Sequence, residues 1–208
     1  KPLKIPELKW KEYEYRLNHA LFKEIPMLHT FALSEHRADN VLVDAIIQGI
    51  LDHPDLQNDR AYKEINMNLE MTWVSSNVNN ARWSAYYLNL QKIIDTCWEA
   101  GSIVGPGRGS GVGFILLYVL GITQINPLRE TTKCFAWRFL NPERVSVLDV
   151  DFDIEGGRRA DVLNAFRREY GSDRVANVAT FRTEKSKSAI LTAARGLGID
   201  VDIAQYIA

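Results

Sequence analysis

Three observations predict an α+β fold in which a mixed sheet is flanked by helices. An acidic stretch alternates polar and apolar residues with the period of a strand, a glycine-rich turn leads into an apolar segment, and most other long segments repeat their apolar residues at helical spacing. With 208 residues and 46% apolar content, the chain can bury a substantial core.

Taken in order, residues 1–10 are proline-spaced and extended. Tyr13, Leu17 and Leu21 recur at helical spacing and predict a helix over 11–24, stopped at Ile25-Pro26. Val41, Ile46, Ile47 and Ile50 predict a second helix over 37–51, closed by His53-Pro54. Ile65, Met67, Leu69, Met71 and Trp73 alternate as in a strand over 63–76, with Asn77 to Asn80 as a turn and helix cap. A long helix follows over 81–100, its broad stripe running from Trp83 through Tyr86, Tyr87 and Leu90 to Trp98, with Gly101 as its stop. The aromatic rings of that stripe fit core packing better than base stacking at this spacing. Residues 102–104 read as a short strand and 114–120 as an apolar helix. The acidic strand spans Arg144 to Ile154. A helix over 158–170, a strand over 175–181 and a helix over 183–197 capped by Thr183 complete the chain.

Composition excludes several classes. Cys97 and Cys134 lie far apart without a CxxC or a nearby histidine pattern, so no disulfide framework or zinc site is indicated, and a reducing, cytoplasmic setting is expected. The apolar run 114–120 falls far short of the ~20 residues of a membrane helix. Net charge is −1, yet residues 101–195 carry 14 Lys plus Arg against 10 Asp plus Glu, whereas residues 1–100 carry 11 against 14. The basic excess therefore surrounds the acidic strand, as expected where carboxylates hold metal and arginines meet phosphate.

In a strand reading of RVSVLDVDFDI, Asp149, Asp151 and Asp153 share one face and Leu148, Val150, Phe152 and Ile154 the other. Same-face neighbours lie roughly 6.6 Å apart, close enough for like charges to repel unless a cation sits between them. Two readings fit: the solvated face of an antiparallel sheet, or a row of hard oxygen donors for Mg²⁺. A calcium loop fails, because the positions needing Gly and Glu hold Ile154 and Ala160. Ahead of the strand, Gly105 to Gly113 places five glycines in nine residues before a helix. Such a turn lets the backbone approach an anion and adds free N–H groups at the helix start, with Arg108 and Ser110 as charged and hydroxyl donors. Neither a Walker A lysine nor a dinucleotide acidic residue follows, and a purely structural turn fits as well. Arg138 and Arg144 flank a proline turn beside the carboxylates, either neutralising them or meeting substrate.

A glycine-serine turn followed some forty residues later by Asp-x-Asp is the layout of polymerase beta-like nucleotidyltransferase palms. The stretches VGPGRGSGVG, LGITQINPL, RFLNPERVSVLDVDFDI and REYGSDRVANVATF go further and resemble the bacterial replicative DNA polymerase III alpha subunit, the family C polymerases. The resemblance is close from about Ser102 to Gly198 and looser from about Tyr13 to Gly101. It implies a truncated palm over residues 1–180, the start of a thumb over 181–208, and template-directed transfer of dNMP from dNTP to a primer 3′-OH by two-metal-ion catalysis. By the same resemblance Asp149 and Asp151 hold Mg²⁺, with Mn²⁺ as a substitute. Arg108, Gly109 and Ser110 hold the triphosphate, with Arg138 and Arg144 close to it, while Asp153 is not a principal ligand. Implied partners are primer-template DNA, dNTP, the remaining thumb and fingers, a sliding clamp and a proofreading exonuclease, with no membrane.

The family completes its site with a further downstream aspartate, so this fragment alone is expected to be inactive. Trp137 stands where the family has Glu, Leu148 where it has Pro, and Arg182 and Glu184 where it has a Gly and an apolar residue. A non-catalytic DNA-binding or assembly module, or a nucleotidyltransferase acting on RNA or a small molecule, are the alternatives.

Overall fold

The computed structural model describes residues 5–6, 8–11, 19–129, 134–143, 148–181 and 183–208. It divides into two units, Lys1–Ser172 and Asp173–Ala208. The first contains α1 (Leu21–Glu24), α2 (Met27–Ala32), α3 (Arg37–Asp52), α4 (Asp59–Asn79), α5 (Trp83–Glu99), α6 (Ile115–Val119) and α7 (Arg159–Tyr170). The second contains α8 (Ser186–Gly196) and α9 (Val201–Ile207).

At the centre of the first unit lies α3, which buries Ala38, Leu42, Ile46, Ile47 and Ile50 completely and packs on α2, α5 and α6. Gly49 makes the approach to α6 possible. A Cβ placed there would fall 2.0 Å from the Val119 carbonyl oxygen, so any side chain would push the two helices apart.

The segment expected to be a strand over 63–76 is helical. Its buried residues are Ala61, Ile65, Asn68, Leu69, Thr72, Ser75 and Ser76, a stripe at helical spacing whose second half is polar. Alternating apolar residues suggested period two, but Met67 is 43% exposed and the buried polar groups are satisfied across the helix pair. Thr72 Oγ1 donates to the Asn68 carbonyl at 2.8 Å, and Trp83 Nε1 donates to Ser75 Oγ at 3.0 Å. Asn58 caps the start by accepting from the Ala61 N–H at 3.0 Å, and Asn80 ends α4 with φ +48°. The expected turn at 77–80 is thus the last helical turn and its cap.

The α+β class with a mixed sheet is likewise overturned. Among the described residues the fold is helical, and β pairing is limited to two isolated antiparallel bridges, Val104 to Ile154 and Arg108 to Asp151. Between them the two segments are joined by Gly105 N–H to the Asp153 carbonyl at 2.8 Å, while Glu155 N–H reaches the Ile103 carbonyl at 3.2 Å. Three residues separate the bridges on one side and two on the other, an extra residue of the kind that makes a bulge. Pro106 sits inside that bulge with no N–H to donate, and its carbonyl accepts from Gln124 N–H at 2.8 Å instead. A ladder interrupted in this way does not extend into a sheet. Residues 144–147, the front of the expected acidic strand, lie outside the described residues, as do most of the residues expected to start the first helix.

In the second unit, residues 175–181 form no ladder among the described residues, against the strand expected there. Helix α8 starts at Ser186 rather than at Thr183, with the Ser188 hydroxyl accepting from the Lys185 N–H at 2.9 Å. Its packing with α9 buries Ala194 and Ala204.

Candidate active site

The acidic segment keeps the alternation of a strand even without a ladder. Leu148 is buried, and Val150, Phe152 and Ile154 pack partly buried against the core, while Asp149 and Asp153 are exposed and Asp151 is half-exposed. Burial of every second residue, each of them apolar, therefore aims the three carboxylates outward.

Antiparallel pairing with Asp151 puts the Arg108 side chain on the carboxylate face. Its Nη2 lies 3.4 Å from Asp151 Oδ1 and its Nε lies 3.5 Å from Asp153 Oδ1. Gly109 follows with φ +73° and ψ −162°, a conformation that side-chain-bearing residues almost never adopt. A Cβ there would lie 3.6 Å from Asp151 Oδ2, so the loop backbone runs directly over that carboxylate. Ser110 is exposed and opens the 3₁₀ turn Ser110–Gly113. The structure thus brings Arg108 and Gly109 to Asp151, with Ser110 one residue further along the loop.

The helix behind the glycine loop differs from expectation. Helix α6 has five residues, four of them buried, and its Ile115 N–H already donates to Asn68 Oδ1 at 3.2 Å. The Ile115 N–H is therefore already engaged, which leaves the loop and side chains as the exposed donors. Helix α6 and the segment that follows it are tied to Asp55. Asp55 accepts from Asn126 Nδ2 at 2.7 Å and from the Tyr118 hydroxyl at 3.1 Å, and Arg129 Nε stands 3.6 Å away. Burial pushes the Asp55 carboxyl up, but the Asn126 and Tyr118 hydrogen bonds and the Arg129 charge outweigh it and hold the group below its ordinary range.

Arg138 closes the 3₁₀ turn Ala136–Arg138 and is exposed; this turn packs on Ser110–Gly113. Arg144 lies outside the described residues. Sequence reasoning missed Tyr86, which was read as part of a core stripe. Its hydroxyl donates to the Leu148 carbonyl at 2.7 Å and so fixes the residue preceding Asp149. Burial, helped by the Asp149 charge, pushes its pKa up to about 12. A polar tip on a helical stripe was the available signal.

Among the described residues no three acidic, histidine or cysteine side chains gather into a metal cage. Asp149 and Asp151 still offer exposed carboxylate oxygens of the hard type that Mg²⁺ takes, on a face where Arg108 is the neighbouring cation. A separate cavity of about 380 Å³ involves none of these residues. Lys9, Lys11 and Lys92 face Asp95, Glu99 and Glu169 across it, a mixed wall without the single-signed field that selects a phosphate. Among the described residues no helix is long and apolar enough to cross a membrane.

Residues 41–208 match the family described as Bacterial DNA polymerase III alpha NTPase domain. The probable DNA polymerase YorL of Bacillus subtilis is 35% identical over 98% of this chain, which covers 16% of that relative. The DNA polymerase III subunit alpha of Bacillus subtilis is 31% identical over 82% of the chain and 15% of the relative, and that of Thermus aquaticus is 42% identical over 59% of the chain and 10% of the relative. The chain thus spans about a sixth or less of the length of these curated relatives. With this match running from α3 through the glycine loop and the acidic segment to α9, the chain belongs to the bacterial DNA polymerase III alpha family, in the region of its NTPase domain.

Proposed function

We propose that the chain is the nucleotide-handling portion of a replicative DNA polymerase, which transfers a deoxynucleoside monophosphate from dNTP to a primer 3′-OH. The seating of Arg108 on Asp151 carries this reading, because it sets a phosphate-type donor loop and a carboxylate row side by side. In the same reading, residues 181–208 open the thumb.

Asp149 and Asp151 hold Mg²⁺, for which Mn²⁺ can substitute. An ion held there would supply charge neutralisation for phosphoryl transfer. Arg108 presents a planar fork that suits phosphate oxygens as well as carboxylates, so a triphosphate can take over the contacts that Asp151 and Asp153 now make. Gly109 lets the backbone come close to the phosphates, and the Ser110 hydroxyl donates to them. Arg138, exposed on the adjoining turn, adds charge to the same side, and Arg144 takes its role from the family resemblance.

Calorimetry of the chain with dNTP and Mg²⁺ tests this. Binding is expected in the wild type. Asp149→Ala and Asp151→Ala should each weaken it by more than about a hundredfold, beyond the cost of losing an outer-shell metal partner. A chain that binds no nucleotide with or without metal is a non-catalytic module, and the proposal fails. Primer extension with labelled dNTP and the full-length gene product then separates DNA synthesis from transfer to RNA or a small molecule.

A further inference from the structure

The turn that carries Arg138 also holds out two aromatic rings. Phe135 is 47% exposed and Trp137 59% exposed, and their ring centroids lie 6.1 Å apart at 34°. The two rings adjoin and so form one small apolar patch rather than two scattered residues. It is not core that has slipped outward, because the same turn is anchored by other residues. Ala136, Phe139 and Leu140 are buried beneath it, Phe139 packs on Phe114 with centroids 4.9 Å apart, and Phe139 N–H closes the turn on the Ala136 carbonyl at 3.0 Å. Ala136, Phe139 and Leu140 thus turn inward while Phe135, Trp137 and Arg138 turn outward, and the rings are held on the outside by a fixed base.

The turn stands over the phosphate loop. A Cβ on Gly113 would fall 2.8 Å from Cys134 Cβ, and one on Gly111 would fall 3.7 Å from the Phe139 ring, so this segment lies against the turn that follows Arg108 and Gly109. An aromatic surface beside Arg138 suits a polymer with flat rings on an anionic backbone.

We propose that Trp137 and Phe135 form a stacking platform for an unpaired nucleobase of a DNA strand, with Arg138 meeting the adjoining phosphate. The platform deepens the polymerase reading and takes the identity of its ligand from it. Stacking accounts for Trp137 better than a general apolar contact, because a ring face accepts any base without a pocket and Trp137 stands mostly exposed. A strand is favoured over a free nucleotide because an open surface holds a base only while neighbouring phosphates are held as well.

The test is fluorescence anisotropy of a labelled fifteen-residue oligo-dT strand with the chain at low salt in EDTA, so that no metal-dependent nucleotide binding contributes. Trp137→Leu, which keeps apolar bulk and loses the ring face, should weaken binding by about tenfold, in the range seen when one base loses its aromatic partner. Trp137→Phe should stay within about threefold of the wild type. Both variants should unfold at wild-type urea concentrations, since Trp137 is largely exposed. Equal binding by wild type and Trp137→Leu overturns the proposal, as does a wild type that binds no strand. A Trp137→Leu defect seen with Mg²⁺ and dTTP but not with the strand assigns the rings to the incoming nucleotide and overturns it too. A Trp137→Leu defect on the strand in a chain that shows no Mg²⁺-dependent dNTP binding sinks the polymerase reading while the platform stands.

Discussion

Asp39 and Asp151 are the same residue in opposite settings. Asp39, on α3, is 1% exposed; it accepts from the Ser34 hydroxyl at 2.6 Å and the Ser84 hydroxyl at 2.5 Å, with Arg82 Nη1 at 3.6 Å. Its oxygens are spent on tying α3 to the start of α5. Asp151 and Asp153 are reached by one guanidinium at 3.4 and 3.5 Å, and their side chains are 44% and 72% exposed. A carboxylate enclosed by hydroxyls is part of the architecture, whereas one held loosely by a single exchangeable cation is available to another ligand. The distinction rests on what surrounds each group.

Removing Asp39, and on the exposed face Asp153, shows the difference most strongly. Asp39→Ala leaves the Ser84 hydroxyl buried without its acceptor and the Ser34 hydroxyl deprived of its own, so stability should fall by about 3 kcal/mol, read from urea denaturation. Asp153→Ala should change it by less than about 0.5 kcal/mol, since exposed ion pairs contribute little. Equal losses in the two variants would erase the comparison.

A smaller effect sharpens it from the loop side. Gly109→Ala meets ordinary contact distance at Asp151 but a backbone conformation close to glycine-only, so it should lose about 2 kcal/mol or let the loop rearrange. In either case dNTP affinity in Mg²⁺ should drop while the helices keep their far-UV dichroism. An alanine variant with wild-type stability and affinity would show that the loop conformation carries neither.

Some of this was legible in the letters and some was not, for identifiable reasons. Helices α3, α5 and α7 announce themselves because their buried residues are mostly apolar, so hydropathy and burial share a period. Helix α4 hides because more than half its buried stripe is Asn, Thr and Ser, whose hydrogen-bond partners lie partly on α5 and α6. For the acidic segment, the alternation correctly marks which side chains turn outward, yet alternation cannot say whether a partner strand exists. Among the described residues Pro106 decided that, by interrupting the pairing between segments 104–108 and 151–154. Charge balance pointed to arginines near the aspartates, but the bulge that seats Arg108 beside Asp151 depends on register, which no single stretch of sequence encodes.

The finest test of the comparison reads the charge of Asp149 through Tyr86. That hydroxyl donates to the Leu148 carbonyl, and its pKa stands at about 12 against an ordinary 10.0, first from burial and then from the neighbouring Asp149 charge. Because the folded value is raised, the neutral ring contributes its full stabilisation below pH 10, and the contribution drains away as pH climbs through 12. Tyr86→Phe should therefore cost about 1 kcal/mol at neutral pH and narrow its deficit relative to wild type across that interval. Absorbance titration near 295 nm in Asp149→Asn should show one tyrosine ionising at lower pH than in wild type, by a fraction of the full displacement because burial remains. An unmoved titration would mean that Asp149 faces away from Tyr86. The carboxylate next to Leu148 would then be too well solvated to act electrostatically on its nearest buried neighbour, and the contrast with Asp39 would be one of hydrogen bonds alone.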